Sequence, residues 1–183
     1  VAGTLVVEKV LGAAAERGDS LRQLKQLGDA VNKATASMGV ALTSCTVPAA
    51  GKPTFQIGAD EMEMGVGIHG EPGRRRIKLA SADEIAAELT GAILKDLSLK
   101  AGQEVLLLVN GFGGTPLLEL YLMVNAVHKV LAGHQVKVAR HLTGSYVTSL
   151  EMAGCSVTVS ALDSAQLALW DAPVHTAALR WGM

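Results

Sequence analysis

Aromatic residues are scarce in this chain of 183 residues, at 3 % of the total: two Trp, two Tyr and two Phe. So few planar side chains leave little on which bases could stack. Charge of one sign is lacking too, since 16 Lys and Arg nearly balance 17 Asp and Glu at a formal net charge of -1. That balance gives no broad basic field for nucleic acid or for an acidic membrane surface, and small metabolites remain the expected ligand class. Cysteine is limited to Cys45 and Cys155, far apart and outside any CxxC pairing. Reduced core thiols fit them better than a disulfide or zinc framework. Long apolar runs are missing: stretches such as 105–109 are far shorter than a membrane span. No charged segment leads into an apolar stretch and cleavage site at the N-terminus, so the expectation is a soluble, cytoplasmic protein with no membrane partner. Val1 is not an initiator methionine, which leaves open a processed chain or a piece of a longer one.

What is present is alanine, glycine and well-ordered periodicity. Apolar residues at helical spacing predict helices over 4–17, with Gly18 to close it, and over a second stretch capped by Ser20 and carrying Leu21, Leu24, Leu27, Val31 and Ala34 inward. The same spacing predicts helices over 82–97, 117–131 and 165–170. The runs 39–45, 54–57, 62–69, 105–109, 136–141 and 156–162 read as strands, and 105–109 is apolar throughout, as a strand buried on both faces must be. The prolines at 48 and 53 mark a loop. Arg74, Arg75 and Arg76 read as a solvated approach to the following helix. Strands alternating incompletely with helices give an α/β layered domain with a mixed sheet, because the adjacent strands at 54–69 exclude an all-parallel one.

Two segments carry chemistry. In Asn110-Gly-Phe-Gly-Gly-Thr-Pro116 a glycine turn joins a strand to a helix, as in a phosphate cradle, but the Lys-Ser/Thr ending of a P-loop is absent and the spacing departs from GxGxxG. The reading preferred is a tight turn at Gly113 and Gly114, with Thr115 capping the helix and Pro116 at its first position. In Glu61-Met-Glu-Met-Gly-Val-Gly-Ile-His-Gly-Glu-Pro-Gly73, an alternating strand delivers His69 to its end among glycines. A neutral imidazole there can serve as base, metal ligand or nucleophile, or simply bond a neighbouring carbonyl or solvent. His128, His134 and His141 show no HxxxH or HxH spacing and His175 lies in the tail, which argues against a metal. No serine or cysteine hydrolase motif and no acid pair is visible, leaving addition of the imidazole to an electrophilic carbonyl as one open possibility.

The His69 segment, together with Thr46-Val-Pro-Ala-Ala-Gly-Lys-Pro53, Gly114-Thr-Pro-Leu-Leu-Glu-Leu-Tyr121, Thr148-Ser-Leu-Glu-Met-Ala-Gly154 and Trp170-Asp-Ala-Pro-Val-His-Thr176, resembles the substrate-binding K subunit of dihydroxyacetone kinases. The resemblance implies that 1–183 is the C-terminal domain of that subunit, with a two-layer fold built on a mixed sheet of about six strands covered by helices. It implies that His69 is the catalytic and substrate-binding residue, forming a covalent hemiaminal with dihydroxyacetone. The proton-handling histidine and aspartate of the family would lie in an N-terminal domain upstream. No cofactor is expected on this chain: ADP or ATP with Mg would sit on a partner L subunit or domain. The donor is expected to be a phosphotransferase system, the ATP-dependent fused form being the alternative, and the subunit is expected to form homodimers. A non-catalytic relative that senses the ketone or contacts a transcription regulator is a further alternative. A lipid carrier of related architecture is disfavoured by the Gly-Ile-His-Gly-Glu-Pro-Gly motif.

Overall fold

The computed structural model of the chain describes residues 2–69 and 73–182. The chain begins with two helices, α1 (Gly3–Glu16) and α2 (Leu21–Lys33), followed by β1 (Thr35–Ala41) and two short strands, β2 (Thr46–Val47) and β3 (Lys52–Pro53). A hairpin of β4 (Glu61–Met64) and β5 (Arg75–Lys78) leads to α3 (Ala82–Leu97), β6 (Glu104–Gly111) and α4 (Leu117–Gly133). The chain continues through β7 (Lys137–Gly144), β8 (Gly154–Ser160), α5 (Ser164–Asp171), β9 (Val174–His175) and β10 (Arg180–Trp181). The helices start where their sequences say they should. Ser20 with Gln23, Ser81 with Glu84 and Asp163 with Gln166 form three reciprocal capping boxes, each satisfying backbone N–H groups that a first helical turn leaves orphaned. Gly18, at φ +93, closes α1 through its own N–H to Ala15 and the Asp19 N–H to Ala14.

Six strands form the mixed sheet in the order β5-β4-β1-β8-β6-β7, antiparallel throughout except for β6 beside β7. Helices cover both faces. Val105, Leu107 and Val109 of β6 pack with Leu89 and Ile93 of α3 and Val127 and Leu131 of α4, while the intervening Leu106 and Leu108 pack with Val6 and Val10 of α1 and Trp170 of α5. The mixed six-stranded sheet is the one expected. The resemblance implied two layers, and the structure has three, because a strand apolar at every position must be covered on each side.

Several boundaries differ from the sequence reading. Residues 54–57 form no strand, and β1 starts four residues earlier than expected, at Thr35, where polar Thr35 and Ser37 bond Ser160 and Thr158 of β8 through their hydroxyls. Arg75 and Arg76 belong to edge strand β5 and not to a helix approach. They are held there by ion pairs of Arg76 with Glu63 at 2.9 Å and of Arg75 with Glu88 of α3. Charged side chains suit an edge that must not recruit another sheet. Among the described residues no helix is long and apolar enough to cross a membrane.

Candidate functional site

The carboxyl ends of β1, β6 and β7 lie at one end of the sheet, the end at which open α/β sheets commonly bind ligands. Four segments gather there into a small apolar cluster of Ala41, Cys45, Val66, Phe112 and Met152, with Phe55 and Ile68 packed against it. Its foundation is a set of close backbone approaches. Gly113, at φ +121, lies directly beneath the Leu150 carbonyl and forms a bridge with Met152, while the Gly114 N–H donates to the Met152 carbonyl at 3.0 Å. The Thr115 hydroxyl accepts from the Gly154 N–H and donates to the Gly154 carbonyl, both at 2.8 Å.

The glycine turn is therefore filled by the chain itself. Its Gly114 N–H is spent on Met152 and is not presented to an anion, in keeping with the tight-turn reading and against a phosphate cradle. Thr115 does not cap α4: the N-cap is Pro116, and the hydroxyl is committed to β8 instead.

Asn110 does similar work from within β6. Fully buried, its side chain accepts from the Tyr146 N–H (3.0 Å) and the Val147 N–H (2.9 Å) and donates to the Val147 carbonyl (2.8 Å). That fixes the start of the 145–153 loop, whose later part carries Met152. Glu151 in that loop accepts from the Thr46 N–H at 2.6 Å, and hydrogen bonds from its own backbone and from Thr46 hold its carboxyl below the usual range.

His69 is carried on this framework. β4 ends at Met64, not at 69 as the alternation suggests, because Gly65 at φ +78 turns the chain out of the ladder. The Gly65 N–H still donates to Gly39 of β1 at 2.7 Å, and the Arg74 N–H closes the base of the excursion on the Met64 carbonyl at 2.7 Å. The chain then crosses β1 above Gly39, where a Cβ would stand 2.8 Å from the Val66 oxygen and 2.9 Å from Phe112 Cζ. Val66 and Gly67 are buried, Ile68 is half-buried and His69 is exposed. A buried anchor three residues before an exposed imidazole is an arrangement that can present a ring nitrogen to a small molecule. The Gly70, Glu71 and Pro72 of the motif lie outside the described residues.

The other histidines are placed as follows. His128 of α4 and His141 of β7, distant in sequence, stand with ring centroids 6.4 Å apart and planes at 81°. Burial, and then the neighbouring His141, push the His128 pKa below its ordinary value. Among the described residues no group of three or more His, Cys, Asp or Glu is placed to hold a metal. Both cysteines are free and buried, and burial pushes the Cys155 thiol up to about 12. The anchors Asn110, Phe112, Thr115 and Met152 were not singled out for these roles from sequence. The signal available was Gly113, Gly114 and Gly154, three glycines that mark where two backbones touch.

The chain matches the Dak1 domain family over residues 1–178. It is 49 % identical over 163 residues to the PTS-dependent dihydroxyacetone kinase 1, dihydroxyacetone-binding subunit DhaK, of Listeria innocua, covering 89 % of this chain and 50 % of that protein. To the PEP-dependent dihydroxyacetone kinase, dihydroxyacetone-binding subunit DhaK, of Escherichia coli it is 44 % identical over 206 residues, covering 100 % of this chain and 58 % of that protein. Among solved structures, the dihydroxyacetone kinase operon co-activator Dha-DhaQ superposes with a TM-score of 0.89 at 35 % identity, covering 94 % of this chain and 54 % of that one. The chain spans about half the length of the curated relatives it matches. With a family match over nearly its whole length and a DhaK homologue aligned along all of it, this chain belongs to the Dak1 domain family.

Proposed function

We propose that this chain is the C-terminal, substrate-anchoring domain of a dihydroxyacetone kinase K subunit, and that His69 holds dihydroxyacetone covalently. The lone pair of an unprotonated imidazole nitrogen adds to the carbonyl carbon, the carbonyl π bond breaks, and its oxygen takes the proton given up by the imidazole N–H. The product is a neutral hemiaminal. A polyol lacking the carbonyl cannot form that bond, so the step selects the substrate by chemistry as well as by shape. Phosphorylation of the captured ketone then needs groups outside this chain. A histidine and an aspartate on the N-terminal domain of the subunit would handle the hydroxyl proton, and an L subunit would supply phosphoryl from a bound nucleotide and Mg, recharged by a phosphotransferase system. In this reading the K subunit is a cytoplasmic homodimer.

The observation that carries this reading is the likeness along the whole chain to proteins described as dihydroxyacetone-binding subunits, at 44 % identity for that of Escherichia coli. The exposure of His69 on a buried anchor agrees with it. The test is intact mass spectrometry of the full-length subunit with dihydroxyacetone labelled with carbon-13 at the carbonyl. A mass gain of one substrate is expected, together with an NMR shift of the labelled carbon out of the carbonyl region. Both should vanish in His69→Ala, and an adduct that survives that substitution would overturn the assignment.

A second reading is favoured by the co-activator's TM-score of 0.89 at 35 % identity. In it the same capture serves ketone sensing without phosphoryl transfer. Adding L subunit and donor to the full-length protein separates the two: turnover to dihydroxyacetone phosphate supports the kinase, and an adduct without turnover supports the sensor.

A further inference from the structure

Strand β1 sits inside the sheet, yet half of its outer edge is open. β8 pairs with all of Thr35–Ala41, whereas β4 on the other side pairs only with Val40 and Ala41. The Gly65 N–H reaches the Gly39 carbonyl, so the odd-numbered residues of β1 turn their backbone groups toward the β4 side. The N–H and C=O groups of Thr35 and Ser37 therefore point out along an edge where, among the described residues, no strand lies. Both residues are half-buried, a setting in which backbone polar groups are normally paired.

A hollow flanks this edge on each face. One, of about 420 Å³, lies between Ser37, Met38 and the last turns of α3, with Arg74, Lys95 and Asp96 at its rim. The other, of about 430 Å³, lies between Ser37, Asn32 and the start of α1 at Gly3 and Thr4. An incoming strand places successive side chains on opposite faces, so it needs a free ladder with room on both sides of it. The edge of Thr35 to Met38 has both.

We propose that this edge receives a short strand from the polypeptide that leads into α1 in the full-length protein. Gly3 lies over the α1-side face of β1 at the hollow that flanks this edge: a Cβ on it would stand 3.0 Å from Thr35 Cγ2, 3.1 Å from Ser37 Oγ and 3.6 Å from Thr158 Cγ2 of β8. The start of α1 is thus stacked on the two residues whose backbone groups face the open ladder, and the curated relatives are about twice as long as this chain. Four residues at ~3.4 Å each suffice to cover the open edge. Two cations to one acid at the rim of the α3-side hollow favour an acidic or amide side chain there. The α1-side hollow, lined by Gly3, Thr4 and Ser37, favours a small polar one. This docking rests on the proposed placement of the chain as the C-terminal part of a longer subunit, and holds for a kinase and for a sensor alike.

Amide hydrogen exchange on the full-length protein tests it. The Ser37 amide is expected to exchange at least about 100-fold more slowly than an unpaired one. The Met38 amide, which faces β8, serves as the internal reference. Fast exchange at Ser37 beside a protected Met38 overturns the proposal. The occupant is read by linking the Lys95 amine to nearby carboxylates and sequencing the joined peptides from a mixture of isotopically light and heavy protein. Links within one copy to residues preceding Val1 are expected. Links between copies, or protection of Ser37 with no link to that segment, assign the edge to something else and overturn the proposal.

Discussion

At Gly39 a single methyl group decides how closely the His69 segment can lie on the sheet. Its Cβ would meet a backbone oxygen of Val66 and the ring of Phe112, neither of which is a flexible tip. Gly39→Ala should therefore cost about 1–3 kcal/mol in urea unfolding, as overpacking does. In the full-length protein it should also reduce the adduct proposed at His69, because the displaced Val66 lies three residues from the imidazole. Normal adduct formation in a destabilised variant would separate the packing from the site. Cys155 makes a different residue-level prediction. With its thiol raised to about 12 by burial, it should resist alkylation near neutral pH in the folded protein and react only once denaturant exposes it. His128 predicts the direction of a pH effect. Its folded pKa lies below the ordinary 6.5, so the unfolded chain binds the proton more readily. That contribution to stability is complete above pH 6.5 and is lost as pH falls through the unfolded value toward the folded one. Thermal unfolding followed from pH 7 downward should show this loss, and His128→Gln should make it shallower.

Among the elements, β6 does most to build the site, and Asn110 is the residue through which it does so. Asn110→Ala removes three hydrogen bonds from a buried side chain and strands the Tyr146 and Val147 N–H groups, at a cost of about 2–4 kcal/mol. Denaturant unfolding measures that loss, and faster exchange confined to 145–153 would place it in the loop. The sequence made some of this legible. Helix α3 could be read at its full extent, because Ser81 and Glu84 announce its start and its apolar face repeats at helical spacing. β6 was legible as a doubly buried strand, and that same continuity explains the third layer. β1 was misplaced because Thr35 and Ser37 are polar yet lie on a face where hydroxyls bond across to β8, a pairing no local pattern reveals. β5 was missed because arginines conceal an edge strand whose partners, Glu63 and Glu88, come from other elements. At the candidate site, the glycines around His69 drew attention to it in the sequence, but the place where its strand ends depends on Gly65 and Gly39 meeting across two elements. The approach of His128 to His141 joins α4 to β7 and has no sequence spacing to betray it.

For the whole molecule, the packing of 1–183 bears on what it can do by itself. Its cores are built from its own residues: α3 and α4 close one face, α1, α2 and α5 close the other, and the Phe112 cluster closes the end of the sheet that carries His69. Burial of a side chain such as Leu89, Leu107 or Trp170 contributes about 1.5–3 kcal/mol, enough across three clusters to offset much of the chain entropy. Folding of 1–183 in isolation is thus expected, with a single cooperative urea transition by circular dichroism. Catalysis is a separate matter under the kinase reading, since the residues proposed to move the hydroxyl proton belong to the other half of the protein. Isolated 1–183, mixed with L subunit and donor, should therefore give no dihydroxyacetone phosphate above background while full-length protein does. Supplying the other half as a separate chain should restore turnover in proportion to its occupancy, and His69→Ala in 1–183 should abolish that restoration. Turnover by 1–183 with L subunit alone would mean that the proton-transfer groups lie on this chain after all, and the division of the site between two halves would have to be abandoned.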